Sequence, residues 1–197
     1  TAQYNLGDYI YNMLVKEVEY FEKSETKMVN QPVLENIVRS SIGRNPRSLK
    51  RLVNSVSLIK MQNLDELSEL KKNAYILKEL VFALVCLQIS FPKVYELLIT
   101  ESDFGTWDEA FSRRFINSSK LFAETEKALL ELKKSFPDDF DDEWEMALFR
   151  IVWAKNWQRG RVVEISRLLS IILDGGIFKP DHDEDFITKR MAEAVKM

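Results

Sequence analysis

Apolar residues recur at spacings of three and four along nearly the whole chain. Leu6, Ile10, Met13, Leu14, Val18 and Phe21 predict an amphipathic helix over residues 5–23. A second helix follows Pro32, with Val33, Leu34, Ile37 and Val38 on one face. Gly43 stands where a left-handed cap would end it. Asn45-Pro46 opens a third, because Asn is a favoured cap and Pro suits the first helical position. Its inner stripe is Leu49, Leu52, Val53, Val56 and Ile59. The most hydrophobic run, residues 74–90, is predicted as the central core helix. Pro92 restarts the chain into a short helix through Val94, Leu97, Leu98 and Ile99.

Thr106 is expected to cap a helix ending at Phe115, and Asn117 or Ser118 to cap the next, which carries Leu121, Phe122, Ala128, Leu129 and Leu132. After Pro137 and the acidic residues 138–142, Trp144, Leu148, Ile151 and Val152 share a face. Further helices are predicted around residues 162–173, before Gly175-Gly176, and over residues 186–195. No run alternates like a strand beside a hairpin turn, and no repeat recurs at a fixed period. The expectation is an all-α, irregular multi-helix bundle of about nine helices. The polar stretch 62–72 is either a further helix or a link. It divides the chain into an N-terminal helical subdomain, 1–62, and a C-terminal bundle, 73–197, unless the two form one continuous domain.

Composition narrows the class. With 197 residues, 46% hydrophobic and 30% charged, and only six glycines and five prolines, the chain is neither collagen-like, disordered nor a disulfide scaffold. Its formal charge of −3 gives no global field to recruit nucleic acid. Cys86 is the single cysteine, set in an apolar run, and fits a core residue in a reducing, cytoplasmic setting. One cysteine and one histidine, His182, exclude a structural zinc site of the usual kind. The longest apolar stretch, residues 81–91, is interrupted by Gln88 and Ser90 and is too short to span a bilayer, so no membrane contact is expected. The chain opens at Thr1 without an initiator Met, which is read as a segment of a longer polypeptide.

The sequence contains no phosphate-binding loop of the G-x-x-x-x-G-K-[ST] type, no G-x-G-x-x-G fingerprint, no H-E-x-x-H and no G-x-S-x-G. No catalytic residue is therefore assigned, and no metal site. Residues 138–143 read as a solvated acidic loop leading into a helix N-terminus. Trp144, Phe149, Trp153 and Trp157, interleaved with Arg150, Lys155, Arg159 and Arg161, have a spacing that suits core packing; the competing use is stacking on single-stranded nucleic acid. The most informative stretch is basic. Arg39, Arg44, Arg47, Lys50, Arg51 and Lys60 lie in a span without one acid. Arg47 and Arg51, four apart, share a helix face that Lys50 borders. A helix start with free N–H groups beside these cations would receive a phosphate; the plain alternative is a solvated face, paired with Glu35 or other acids.

The stretch Gly43-Arg44-Asn45-Pro46-Arg47-Ser48-Leu49-Lys50-Arg51-Leu52-Val53-Asn54 resembles the lid segment of KAP-type P-loop NTPases and related AAA+-like ATPases. The resemblance covers about a dozen residues. It implies a helix that follows a nucleotide-binding core, with Arg47 as a second sensor for nucleotide phosphates and Lys50 and Arg51 beside it. ATP and magnesium would then be bound by an upstream domain, since this chain lacks the loop that holds them. Arg44, Arg47, Lys50 and Arg51 are the candidate phosphate contacts. The expected partners are an upstream NTPase domain or another protein. The alternative function is a helical nucleic-acid-binding module or a protein-interaction domain.

Overall fold

The computed structural model describes residues 5–61 and 74–174. Among these residues there are nine α-helices and no strand: α1 (Leu6–Asn12), α2 (Gln31–Ser40), α3 (Pro46–Met61), α4 (Ala74–Ser90), α5 (Pro92–Thr100), α6 (Glu109–Phe115), α7 (Ser119–Ser135), α8 (Glu143–Ala154) and α9 (Val162–Asp174). The all-α expectation holds. The link at 62–73, the helix predicted at 186–195 and His182 lie outside the described residues.

The first predicted helix is the largest departure. α1 stops at Asn12 and widens into a π-helical turn over Met13–Glu17, where the N–H of Val18 reaches the carbonyl of Met13 at 2.9 Å. Glu19 takes a positive φ of 51° and ends the spiral. The apolar period continued to Phe21 because Tyr20 and Phe21 are buried as well, but from a turn rather than a helix. Tyr20 and Phe21 meet edge to face at 5.1 Å. Periodicity reported burial, and burial did not require helix.

α4 is apolar on every side and packs against α2, α3, α5 and α9, as a central helix must. Leu80 to Leu87 are buried without a break. One buried cluster links this helix to Leu6, Ile10 and Met13 at one end of the sequence and to Ile165, Leu168 and Ile172 at the other. Each such side chain contributes roughly 1.5–3 kcal/mol by leaving water. Leu52 and Val56 of α3 join the same cluster.

The caps show where sequence chemistry set the boundaries. Ser118 accepts the N–H of Leu121 at 3.3 Å and starts α7. Thr106 does not cap α6; its hydroxyl donates to the Asp103 carbonyl at 2.8 Å inside a 3-10 turn over Phe104–Thr106. Asp108 takes that role, accepting the N–H of Phe111 at 2.7 Å. A carboxylate two residues nearer the helix competed better than the hydroxyl. Glu145 in α8 accepts the N–H of Asp141 at 3.1 Å with one oxygen and the Ser166 hydroxyl at 2.6 Å with the other. It closes its own helix start and ties α8 to α9.

Candidate phosphate-binding face

The basic helix is built from its first residue outward. Gly43 adopts φ +62°, the left-handed conformation that favours glycine, and its N–H bonds the Val38 carbonyl at 2.7 Å. The chain reverses there and enters α3. Asn45 Oδ1 accepts the N–H of Arg47 at 3.0 Å and of Ser48 at 3.4 Å. The expectation of free backbone donors at this helix start is corrected: Pro46 has none, and the side chain of Asn45 occupies the next two. Anion binding here therefore falls to the side chains.

Leu52 and Val56 turn inward, with Leu49, Val53 and Ile59 half-buried beside them. Arg47, Lys50, Arg51 and Asn54 occupy the opposite, exposed face, and Arg44 is exposed in the turn before it. Arg47 and Arg51 are about 6 Å apart along the axis, one helical turn. Arg47, Lys50 and Arg51 thus share one exposed helix face, and Arg44 is exposed in the turn that leads into it.

None of the four has an ion-pair or hydrogen-bond partner for its side chain among the described residues. Every other described arginine has one. Arg39 pairs with Glu35, Arg113 with Glu109, Arg114 with Glu101, Arg150 with Glu126 and Arg167 with Asp139. Arg159 lies 4.2 Å over the ring of Trp153, and Arg161 donates to the Ser41 carbonyl at 2.6 Å. Glu35, the acid that sequence reading offered as a partner for the basic helix, is taken by Arg39 from its own helix.

The aromatic run packs on the core, as its spacing suits, with Trp153 and Trp157 partly buried. Trp144 and Phe149 are buried, and the exposed side of Trp153 is covered by Arg159. The acidic loop is similarly engaged: Asp139 holds Arg167 at 2.9 Å and Asp141 holds Lys133 at 3.2 Å. Among the described residues, no helix is long and apolar enough to cross a membrane, and no group of acids, histidines and cysteines has the geometry of a metal site. Cys86 is fully buried, and burial raises its thiol pKa, the setting of a packing residue.

One connection was not legible in the sequence. Arg161, at the start of α9, reaches the Ser41 carbonyl three residues before Arg44 and lies 4.6 Å over the ring of Phe91. Residues 41, 91 and 161 are far apart in the chain, and no spacing rule joins them. The turn that carries Arg44 is thereby fastened to the start of α9 and the junction of α4 with α5.

Compared with known proteins, the chain stands by itself: no family model, no curated protein and no solved structure matches it.

Proposed function

We propose that this chain is an accessory helical region of a larger P-loop NTPase, in which Arg47, flanked by Arg44, Lys50 and Arg51, meets the phosphates of a nucleotide held by another domain. The observation that carries the reading is the pair Arg47 and Arg51 on one capped helix, with Arg44 in the turn before it, all without a partner among the described residues while the other described arginines are engaged. The Asn-Pro-Arg segment that resembles an NTPase lid supplies the direction. The chain is not a catalyst alone, since its sequence lacks a loop to cradle the nucleotide. ATP and magnesium belong to the upstream domain.

In this reading Arg47 acts electrostatically. A guanidinium fixed on a rigid helix stabilises negative charge on a phosphate without reorganising at the moment of reaction. α3 rests on α4, and the turn before it is tied to α9 by Arg161, so a shift of the basic helix is passed to the bundle as a rigid movement. The test is the combined change Arg47→Ala, Lys50→Ala and Arg51→Ala in the parent polypeptide. Nucleotide turnover is expected to fall by about tenfold or more, with far-UV circular dichroism unchanged. A folded variant with unaltered turnover and unaltered partner response returns these residues to a solvated surface.

A helical nucleic-acid-binding module is the second reading, favoured by the same exposed cations, Arg47, Lys50 and Arg51 on one helix face and Arg44 in the turn before it. Its signature is an oligonucleotide affinity that falls steeply with salt, because bound counterions are released. Filter binding at low ionic strength decides it: no retained DNA or RNA removes this alternative and leaves the first reading intact.

A further inference from the structure

Between the end of α5 and α6 the chain leaves an open cleft of about 510 Å³, a volume within the range of small-ligand sites. Glu101, Asp103, Trp107, Phe111 and Arg114 are among the residues that line it. It shares no residue with the basic helix. Three properties define what it accepts.

The first is charge. Glu101, Asp103 and Asp108 line the cleft against one cation, Arg114. Asp108 is committed to capping α6, whereas the exposed carboxylate of Asp103 has no partner among the described residues. The second is an unused donor. Trp107 is 3% exposed, stacked on Phe111 at 4.6 Å with planes 9° apart, and edge-on to Phe104 at 6.1 Å. Its indole N–H has no acceptor among the described residues. Trp107 lines the cleft, so a ligand seated there lies against the residue that carries this donor. The third is a precedent within the chain. Arg114 lies 4.5 Å over the ring of Phe111 and 3.5 Å from Glu101, so a guanidinium already rests between an aromatic face and a carboxylate at this rim.

We propose that the cleft binds an arginine-bearing peptide segment of a partner protein. The guanidinium pairs with Asp103 and Glu101, where a planar fork matches a carboxylate better than a point charge does. A carbonyl of the same segment accepts from the indole N–H of Trp107. A bare metal cation or a simple amine meets the carboxylates but offers the indole N–H nothing better than water, and an anion meets the wrong charge. An acidic rim beside an indole donor that no residue of the chain uses therefore suits a cationic segment that also carries carbonyls.

The probe is acetyl-Gly-Arg-Gly-amide, with the citrulline peptide as its neutral counterpart, titrated into the 197-residue chain and followed by calorimetry and by the indole N–H resonances. Trp107→Phe keeps the stack, removes the donor and identifies the Trp107 signal. The arginine peptide is expected to shift that signal, and the citrulline peptide to bind at least fivefold more weakly. Asp103→Asn, a change at an exposed side chain, is expected to weaken binding about fivefold, in line with one ion pair at a partly screened site. Arg114→Gln is expected to tighten it by freeing Glu101 and the Phe111 face. No shift of the Trp107 signal at about 10 mM peptide, weaker than any useful affinity, overturns the proposal. Equal binding of the citrulline peptide, or unchanged affinity in Asp103→Asn, overturns it as well.

Discussion

Two groups of cations in this molecule obey opposite rules. Lys78 lies inside α4, 7% exposed, with its ammonium 2.8 Å from Glu25, itself 8% exposed. Glu25 also accepts the N–H of Glu22 at 2.7 Å, and the Lys78 carbonyl accepts the Tyr20 hydroxyl at 3.0 Å. Arg150 in α8 is held by Glu126 and lies 5.7 Å from the ring of Phe122. On the basic face of α3 and in the turn before it, by contrast, Arg44, Arg47, Lys50 and Arg51 are exposed and pair with no acid among the described residues. A charge taken out of water must be paired, because desolvation costs several kcal/mol. A charge left in water has no such need and remains available to a ligand. The difference separates cations that hold the fold from cations free to act outside it.

Removing one partner of the buried pair gives the largest expected effect. Glu25→Ala leaves the ammonium of Lys78 buried without compensation and should cost about 3–5 kcal/mol by urea denaturation. The double change Glu25→Leu with Lys78→Met should recover most of that loss. A single substitution costing under about 1 kcal/mol would show that Lys78 reaches water and would erase the contrast.

Arg150→Ala comes next, at about 2 kcal/mol, since it removes a charge-assisted hydrogen bond and the cover over Phe122. The loss is smaller than for Glu25 because the remaining carboxylate, Glu126, is 37% exposed and rehydrates. Thermal unfolding of the single variant measures it.

Alkaline pH acts on two groups of the interior. Burial raises the Tyr20 hydroxyl and the Cys86 thiol well above their ordinary values, with the nearby Glu25 carboxylate adding to the shift of Tyr20. Both groups hold their protons in the fold and lose them more readily when unfolded. Their contribution to stability is therefore complete below the unfolded pKa and is lost as pH rises above about 9, by up to about 1.4 kcal/mol per pH unit for each group. Tyr20→Phe should flatten the upper part of that fall. A thiol reagent at pH 8 should modify Cys86 only at the rate of unfolding; rapid labelling of the folded chain would contradict its burial.

The smallest structural effect belongs to the basic face. Arg47→Ala with Lys50→Ala and Arg51→Ala should change stability by less than about 1 kcal/mol, because these exposed side chains have no ion pair or hydrogen bond to lose among the described residues and Ala favours helix. Calorimetric melting is the check. Unfolding of this variant would place the three side chains in the structural group and end their assignment as phosphate contacts.

Much of the helical inventory was written in local pattern. The cap at Asn45, the reversal at Gly43 and the start of α7 at Ser118 each depend on residues within a few positions, so sequence chemistry sufficed. The inner stripe of α3 followed from spacing, and the exposure of Arg47, Lys50 and Arg51 followed from the stripe. Local pattern failed where two outcomes bury the same residues: Tyr20 and Phe21 enter the core from a turn after a π-helical widening, and periodicity cannot tell that from a longer helix. It failed again at Thr106, where a nearby acid, Asp108, won the cap.

Which cations are spent and which are free was decided by tertiary structure. Sequence presented Arg161 and Arg47 as similar basic residues beside polar neighbours, yet one is fastened to Ser41 and the other has no partner among the described residues. The cleft at Trp107 likewise exists only because α5 and α6 bring Glu101 near Arg114. Helix formation and capping act over three or four residues and can be read along the chain. Ion pairing and desolvation act through space, between residues whose separation in sequence is arbitrary, and only the packed fold assigns them.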